Sequence, residues 1–382
     1  MSPTDREAAE LPTEVDVVVV GAGLMGAMTA MALSGRGIGV AVVEQFERSH
    51  ARGSSHGSAR IVRRAYADEF YVGLTGRAFE GWTELERRAG EPLLRMTGGL
   101  DHGPARDIAA LGRLLGEAGA EYQLVAPVDA EQRWPGMRFE GPVLFHPQAG
   151  TVDCDGAVAA ALAQAESTGA VVLPATAGSS ISVEGSTALV HTARGTMRAQ
   201  AVVLAVGAWL PDFGGLLDGV RLDLPPLRVS QQQVFHFARR DGIPEWPTSL
   251  HKGALSTYSL PGGRDGGPGG ARKVAEHDAP GYETTARTRS GVVDPGARAR
   301  IVEYVAEWMP GLVPEPFAEA TCLYTSTENE DFLLDRIGPI VLCSPCSGHG
   351  AKFAPLIGEL TADLVTATGT PEPRFTLAAH GR

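Results

Sequence analysis

The 382-residue chain contains no run of about 18 consecutive apolar residues, so a transmembrane helix is not expected and neither is a membrane partner. The first fourteen residues, MSPTDREAAELPTE, lack the basic and apolar regions of a signal peptide. They are expected to form a loose tail, 1–14, and a cytoplasmic location is expected with it. An excess of positive charge is also missing. Lys and Arg number 33 against 45 Asp and Glu, a net charge of −12, which argues against a nucleic-acid partner but not against a local cationic pocket. Cysteine is scarce: four residues, at 154, 322, 343 and 346, do not make a disulfide framework in a chain this long. Cys343 and Cys346 form a C-x-x-C pair, but no second pair completes a tetrahedral zinc site. They read as incidental thiols, and no metal is expected.

What is present is ordinary for a folded protein, with 43% hydrophobic and 20% charged residues. The length exceeds what one core usually serves, so two closely packed domains are expected. Residues 15–20, VDVVVV, and 39–44, GVAVVE, read as buried parallel strands around a glycine-rich turn and an Ala/Met/Leu helix. Helical periodicity recurs at 72–89, 105–118, 156–168 and 296–308. Strands and hairpins are expected over 171–206, and a mainly antiparallel sheet from LRVSQQQVFHFAR onward, with 262–270 a flexible loop. The fold class is therefore α/β, a Rossmann-like domain plus a second domain with a mainly antiparallel sheet. Both read as discontinuous, 15–85, 150–220 and 320–382 against 86–149 and 221–319.

The glycines Gly21, Gly23 and Gly26 follow the first strand and open the helix, and Glu44 ends the second strand eighteen residues beyond Gly26. Gly21 allows the tight turn, Gly23 a close approach by pyrophosphate, and Gly26 close packing of helix on sheet. The helix start offers free N–H groups and a positive dipole end to phosphates, and Glu44 suits ribose hydroxyls. This fingerprint does not separate NAD from FAD. The next stretch, Gly53–Tyr66 (GSSHGSARIVRRAY), holds Ser54, Ser55, His56, Arg60 and Arg63. It suits either a loop beside a flavin or a basic surface helix.

With these blocks, CLYTSTENEDFLLD from Cys322 and CSGHGAKF over 346–353, the chain resembles the monomeric sarcosine oxidase and N-methyltryptophan oxidase family of D-amino-acid-oxidase-like flavoproteins. The resemblance implies FAD, bound covalently through Cys322 in its C-L-Y-T context, where the residue alone reads more commonly as a buried structural thiol. It implies a substrate carboxylate held by Arg63 and Lys352, with Arg60 and His56 at the flavin and the backbone of Gly348, His349 and Gly350 close to it. Lys273 and His277 match a K-x-x-x-H pair in which the lysine promotes the reaction with oxygen, and Tyr258 matches an active-site tyrosine. Arg272 is an adjacent competitor for the cationic role. Cys346 and Ala351 stand where that family often has aromatic residues, which implies a differently shaped pocket.

The implied activity is a monomeric oxidase of a small secondary amino acid. Hydride passes to flavin, leaving an imine, and O2 is reduced to hydrogen peroxide. A flavin dehydrogenase that uses another electron carrier is the alternative, and a non-catalytic flavoprotein is a third.

Overall fold

A computed structural model of the chain describes residues 10–267 and 271–381. Residues 1–9 of the expected tail and 268–270 of the expected loop lie outside the described residues. The first strand, Glu14–Val20, starts inside the stretch read as tail. Its valines 17–20 are at most 5% exposed, because helices cover one face of its sheet and further elements the other. It pairs in parallel with Val40–Val43 on one side and Gly195–Leu204 on the other, and Val40–Val43 pairs in turn with Val171–Leu173.

Strand Gly195–Leu204 changes partner along its length. Residues 195–199 pair with the antiparallel strand Thr187–Thr192, and residues 202–204 with the parallel strand Ile340–Ser344. The C-terminal part of the chain is thereby brought beside the first strand.

The helix Leu24–Gly35 packs on this sheet and against helix Ala354–Thr366. Small residues set the spacing. A Cβ on Gly26 would lie 1.9 Å from the Gly21 carbonyl oxygen, and one on Gly358 would lie 2.7 Å from the Met28 backbone.

The second sheet has eight strands in the order 312–326, 228–239, 272–276, 256–261, 248–252, 99–102, 143–146 and 123–125. Every neighbour pair is antiparallel except Thr248–Lys252 with Gly99–His102. Helix Pro295–Trp308 covers part of it, packing Ile301 and Val305 against Phe235, Phe237 and Trp246. A small third sheet, in which Ala149–Val152 pairs with both Arg60–Arg63 and Leu94–Met96, carries the basic cluster. That cluster is thus a half-buried strand and not a surface helix.

Gly26→Ala tests the close packing of the first helix. The mutant should lose at least about 1–3 kcal/mol of stability, because its methyl group must push the helix off the glycine turn. Its urea midpoint should fall and its retained flavin should drop with it. An unchanged midpoint would show that the turn yields freely.

Candidate active site

A cavity of about 810 Å³ runs from the glycine turn to the 350–353 turn, between the two large sheets. At one end Glu44 accepts hydrogen bonds from the N–H groups of Ala22 (2.9 Å) and Phe46 (3.0 Å). Ser55 Oγ accepts from the N–H of Leu24 (2.9 Å), and Ser54 Oγ donates to the Leu323 carbonyl (2.6 Å). These side chains fix the turn that starts the helix, whose first N–H groups have no partners within it.

Further along, His56 Nε2 and Ser344 Oγ are buried beside the cavity without a hydrogen-bond partner among the described residues. Buried polar atoms of this kind are rarely left unpaired in folded proteins. Together with the open helix start, they suit a cofactor with a phosphate-bearing half and a polar ring.

Arg60 lies beneath this region, tied to the carbonyls of Ala59 (3.0 Å), Ser54 (3.4 Å) and His56. Burial, with Arg60 and Lys273 nearby, pushes the His56 pKa down to about 4.

Lys273 sits on strand Arg272–Glu276 and is 5% exposed. Its Nζ donates to the Ala59 carbonyl at 3.4 Å. Burial, reinforced by Arg60, lowers its pKa to about 7. Arg272, one residue earlier, projects from the opposite face of the strand, as alternation requires. It donates to Ser259 Oγ (2.7 Å) and to the carbonyls of Trp246 (2.9 Å) and Pro247 (2.6 Å), and it does not line the cavity. The structure therefore brings Lys273 and not Arg272 to the site.

His277 and Tyr258 also line it, their rings 6.3 Å apart, with Tyr324 5.9 Å from His277. Burial, with Lys252 adding to it, holds the His277 pKa down to about 4. Cys322, 7% exposed, opens onto the same cavity from strand Leu312–Ser326.

Arg63 and Lys352 come from opposite ends of the sequence and meet over one ring. The Arg63 guanidinium carbon lies 4.7 Å and the Lys352 Nζ 5.5 Å from the centre of Tyr66. Lys352 Nζ donates to the His349 carbonyl at 2.6 Å, and Trp82 Nε1 binds the Lys352 carbonyl at 2.8 Å. Burial drives the Lys352 pKa well down, and the charge of Arg63 adds to the effect.

The glycines of the 348–350 turn line the cavity and also make room for neighbouring parts of the protein. A Cβ on Gly350 would lie 1.5 Å from the Pro345 carbonyl oxygen, and one on Gly348 2.5 Å from the Tyr324 ring. The His349 ring turns into an aromatic cluster, stacking on Phe332 with Nδ1 3.1 Å from Tyr66 Oη. Cys346 and Ala351 both line the cavity.

A family model described as FAD dependent oxidoreductase matches residues 16–364. The monomeric sarcosine oxidase of Bacillus sp. (strain NS-129) is 30% identical, over 97% of this chain and 98% of its own. The peroxisomal sarcosine oxidase of Homo sapiens is 31% identical over 91% of each. The chain belongs to the sarcosine oxidase branch of the FAD-dependent oxidoreductases. Among solved structures, an unusual amino acid oxidase essential for nikkomycin biosynthesis shares the fold with a TM-score of 0.84 at 24% identity, covering 96% of both chains. L-proline dehydrogenase from P. horikoshii follows at 0.82 and 22%, covering 95% of this chain and 96% of its own.

Membership of this family supports FAD as the cofactor. It does not account for a set of charges that no motif had marked. Asp101 is fully buried and accepts from both Nε (2.9 Å) and Nη2 (2.6 Å) of Arg106, with Arg63 Nη1 at 3.8 Å and His146 Nε2 at 3.7 Å. Burial alone would raise its carboxyl pKa, but Arg106, His146 and Arg63 outweigh it and keep it ionised. The acid inside the buried strand Gly99–His102 was the available signal. Arg106 and Lys252 stand in segments without a motif, and both line the cavity.

The two neighbouring cations should behave oppositely when deleted. Arg272→Met leaves several buried acceptors without a donor and should lose at least about 2 kcal/mol. Lys273→Met removes a base whose folded pKa is depressed. The unfolded chain binds that proton more readily between about pH 7 and 10.5, so the mutant should gain on wild type as pH falls through this window, by on the order of a few kcal/mol. Urea titrations of both variants at pH 7 and 10 check the pair.

Proposed function

We propose that the protein is an FAD-dependent oxidase of a secondary amino acid, N-methylated or cyclic, yielding an imine and hydrogen peroxide. The observation that carries this reading is the convergence of Arg63 and Lys352 over Tyr66, in the cavity that also contains Cys322 and Lys273. FAD, when bound, supplies the two-electron acceptor; Gly21, Gly23, Glu44 and Ser55 would hold its adenosine half and Cys322 its ring, covalently.

An arginine fork with a second donor is suited to an amino-acid carboxylate. Holding that carboxylate fixes where the adjacent C–N bond lies. The surrounding cations also disfavour a protonated substrate nitrogen, so the amine loses its proton on entry, as oxidation of its C–H bond requires. Tyr258 and His277 border the reacting region, and burial keeps His277 neutral. Lys273 offers positive charge where oxygen takes up electrons, which favours the developing anion in a dry site.

Sarcosine oxidase is the name borne by the relatives. Cys346 and Ala351 line the cavity with small side chains, which supports a substrate other than sarcosine itself. We place the cofactor on segments 15–85, 150–220 and 320–382 and the substrate side on 86–149 and 221–319, in a protein that acts as a monomer.

A panel of N-methyl and cyclic amino acids, mixed with the holoprotein under nitrogen, should include members that bleach the flavin and give the imine-derived product by mass. In air the same compounds should yield peroxide. Bleaching without peroxide would point to a dehydrogenase, and no bleaching by any member would contradict the reading.

Two variants probe the binding roles. After acid precipitation the wild-type pellet should stay yellow, while Cys322→Ser should release its flavin to the supernatant. A colourless wild-type pellet from flavin-loaded protein would exclude the covalent link. Arg63→Ala should retain flavin but weaken substrate binding by about 2–5 kcal/mol, since Lys352 is left to hold the carboxylate alone. Equal turnover of the matching decarboxylated amine by wild type would contradict the carboxylate clamp.

A further inference from the structure

The substrate side of the cavity carries more positive charge than one carboxylate needs. Beyond Arg63 and Lys352 it is lined by Arg106 and Lys252. These two are built on adjoining backbone: the N–H of Ala105 donates to the Lys252 carbonyl at 3.0 Å, and the turn at Gly103 has φ of 106°, with room there for no Cβ. The parallel pairing of His251 with His102 sets that register.

Arg106 is held rigidly. Its Nε and Nη2 are both spent on Asp101, and its remaining terminal nitrogen makes no hydrogen bond to a described residue. Lys252 Nζ spends one proton on Ser256 Oγ at 2.7 Å. Asp101 is shared with Arg63, so one buried carboxylate serves two guanidiniums that stand side by side.

The other nearby carboxylates do not neutralise the excess. Asp68 and Asp331 are engaged by Arg374, each at 2.7 Å. Glu330 lies exposed at the rim, with Lys252 within its electrostatic reach. Donors left free in a half-buried cationic pocket favour an anionic partner there.

We propose that the substrate is a secondary amino acid whose side chain ends in a second carboxylate, received by Arg106 and Lys252 while Arg63 and Lys352 hold the first. This rests on the oxidase reading above and names its substrate class. Arg106 stands beside Arg63 on the same Asp101 oxygen, which suits a short acidic side chain of aspartate or glutamate length.

The test compares N-methylglutamate with N-methylnorvaline, which has a side chain of similar length without the second acid, each as both enantiomers. Anaerobic flavin bleaching of the holoprotein should be at least tenfold more efficient with the diacid. In Lys252→Met, and in Arg106→Met if it folds, the ratio between the two substrates should collapse towards one. A binding readout accompanies it: glutarate should perturb the flavin absorbance at concentrations at least tenfold below those needed with butanoate. Equal efficiency for the two amino acids with bleaching intact would overturn this inference and leave the oxidase reading standing. If neither amino acid bleaches the flavin, the oxidase reading is in question, and equal binding of glutarate and butanoate would then overturn the second-acid site on its own.

Discussion

Positive charge taken out of water around one cavity is the constraint on which this structure depends. Arg60, Arg63, Lys273 and Lys352 all lose most of their hydration there, and Arg60 makes Lys273 harder to charge as Arg63 does Lys352. The protein offsets this in three ways. Backbone carbonyls accept from Arg60, Lys273 and Lys352; the Tyr66 ring faces both Arg63 and Lys352; and a single buried carboxylate, Asp101, anchors Arg63 and Arg106. None of these neutralises the cavity. An electropositive, desolvated site remains, which suits an anionic substrate and a reaction that builds negative charge on oxygen.

Such a site must be rigid, and the topology makes it so. Arg63 stands on the small three-stranded sheet, Lys273 on an inner strand of the antiparallel sheet, and Lys352 on a turn fixed by glycines and by Trp82. Strand Gly195–Leu204 pairs first with one neighbour and then with another, which returns the C-terminal segment to the first strand. Residues nearly 300 positions apart are thereby held over one tyrosine ring.

The parallel sheet and its glycine turn were plain in the sequence because VDVVVV and GVAVVE have only one good use, burial on both faces. The antiparallel sheet was legible as a class from LRVSQQQVFHFAR. Its order was not, since pairing of Thr248–Lys252 with Gly99–His102 depends on contacts far apart in the chain. At the site, the residues drawn from the motif blocks, apart from Gly26, which packs against the Gly21 backbone, line one cavity together with Lys273, His277 and Tyr258. Choosing between Arg272 and Lys273 needed the strand's facing, which a short segment beside a glycine-rich loop does not reveal. The glycines at 348 and 350 line the cavity with their backbone, and the space a side chain would need there is taken by Pro345 and Tyr324. Arg106 and Lys252 escaped notice because a lone basic residue in an unpatterned segment usually faces solvent.

The central claim is that one cavity separates two tasks: Arg63 and Lys352 orient the amino acid, and Lys273 supplies charge for the reaction with oxygen. Stopped-flow spectroscopy of Lys273→Met against wild type tests it most directly, following flavin bleaching under nitrogen and its recovery in oxygen. The account predicts a bleaching phase within a few-fold of wild type and a recovery slower by on the order of a hundredfold. Wild-type recovery should itself slow as pH rises through about 7, where Lys273 gives up its proton. Recovery as fast in the mutant as in wild type, or equal slowing of both phases, would contradict it.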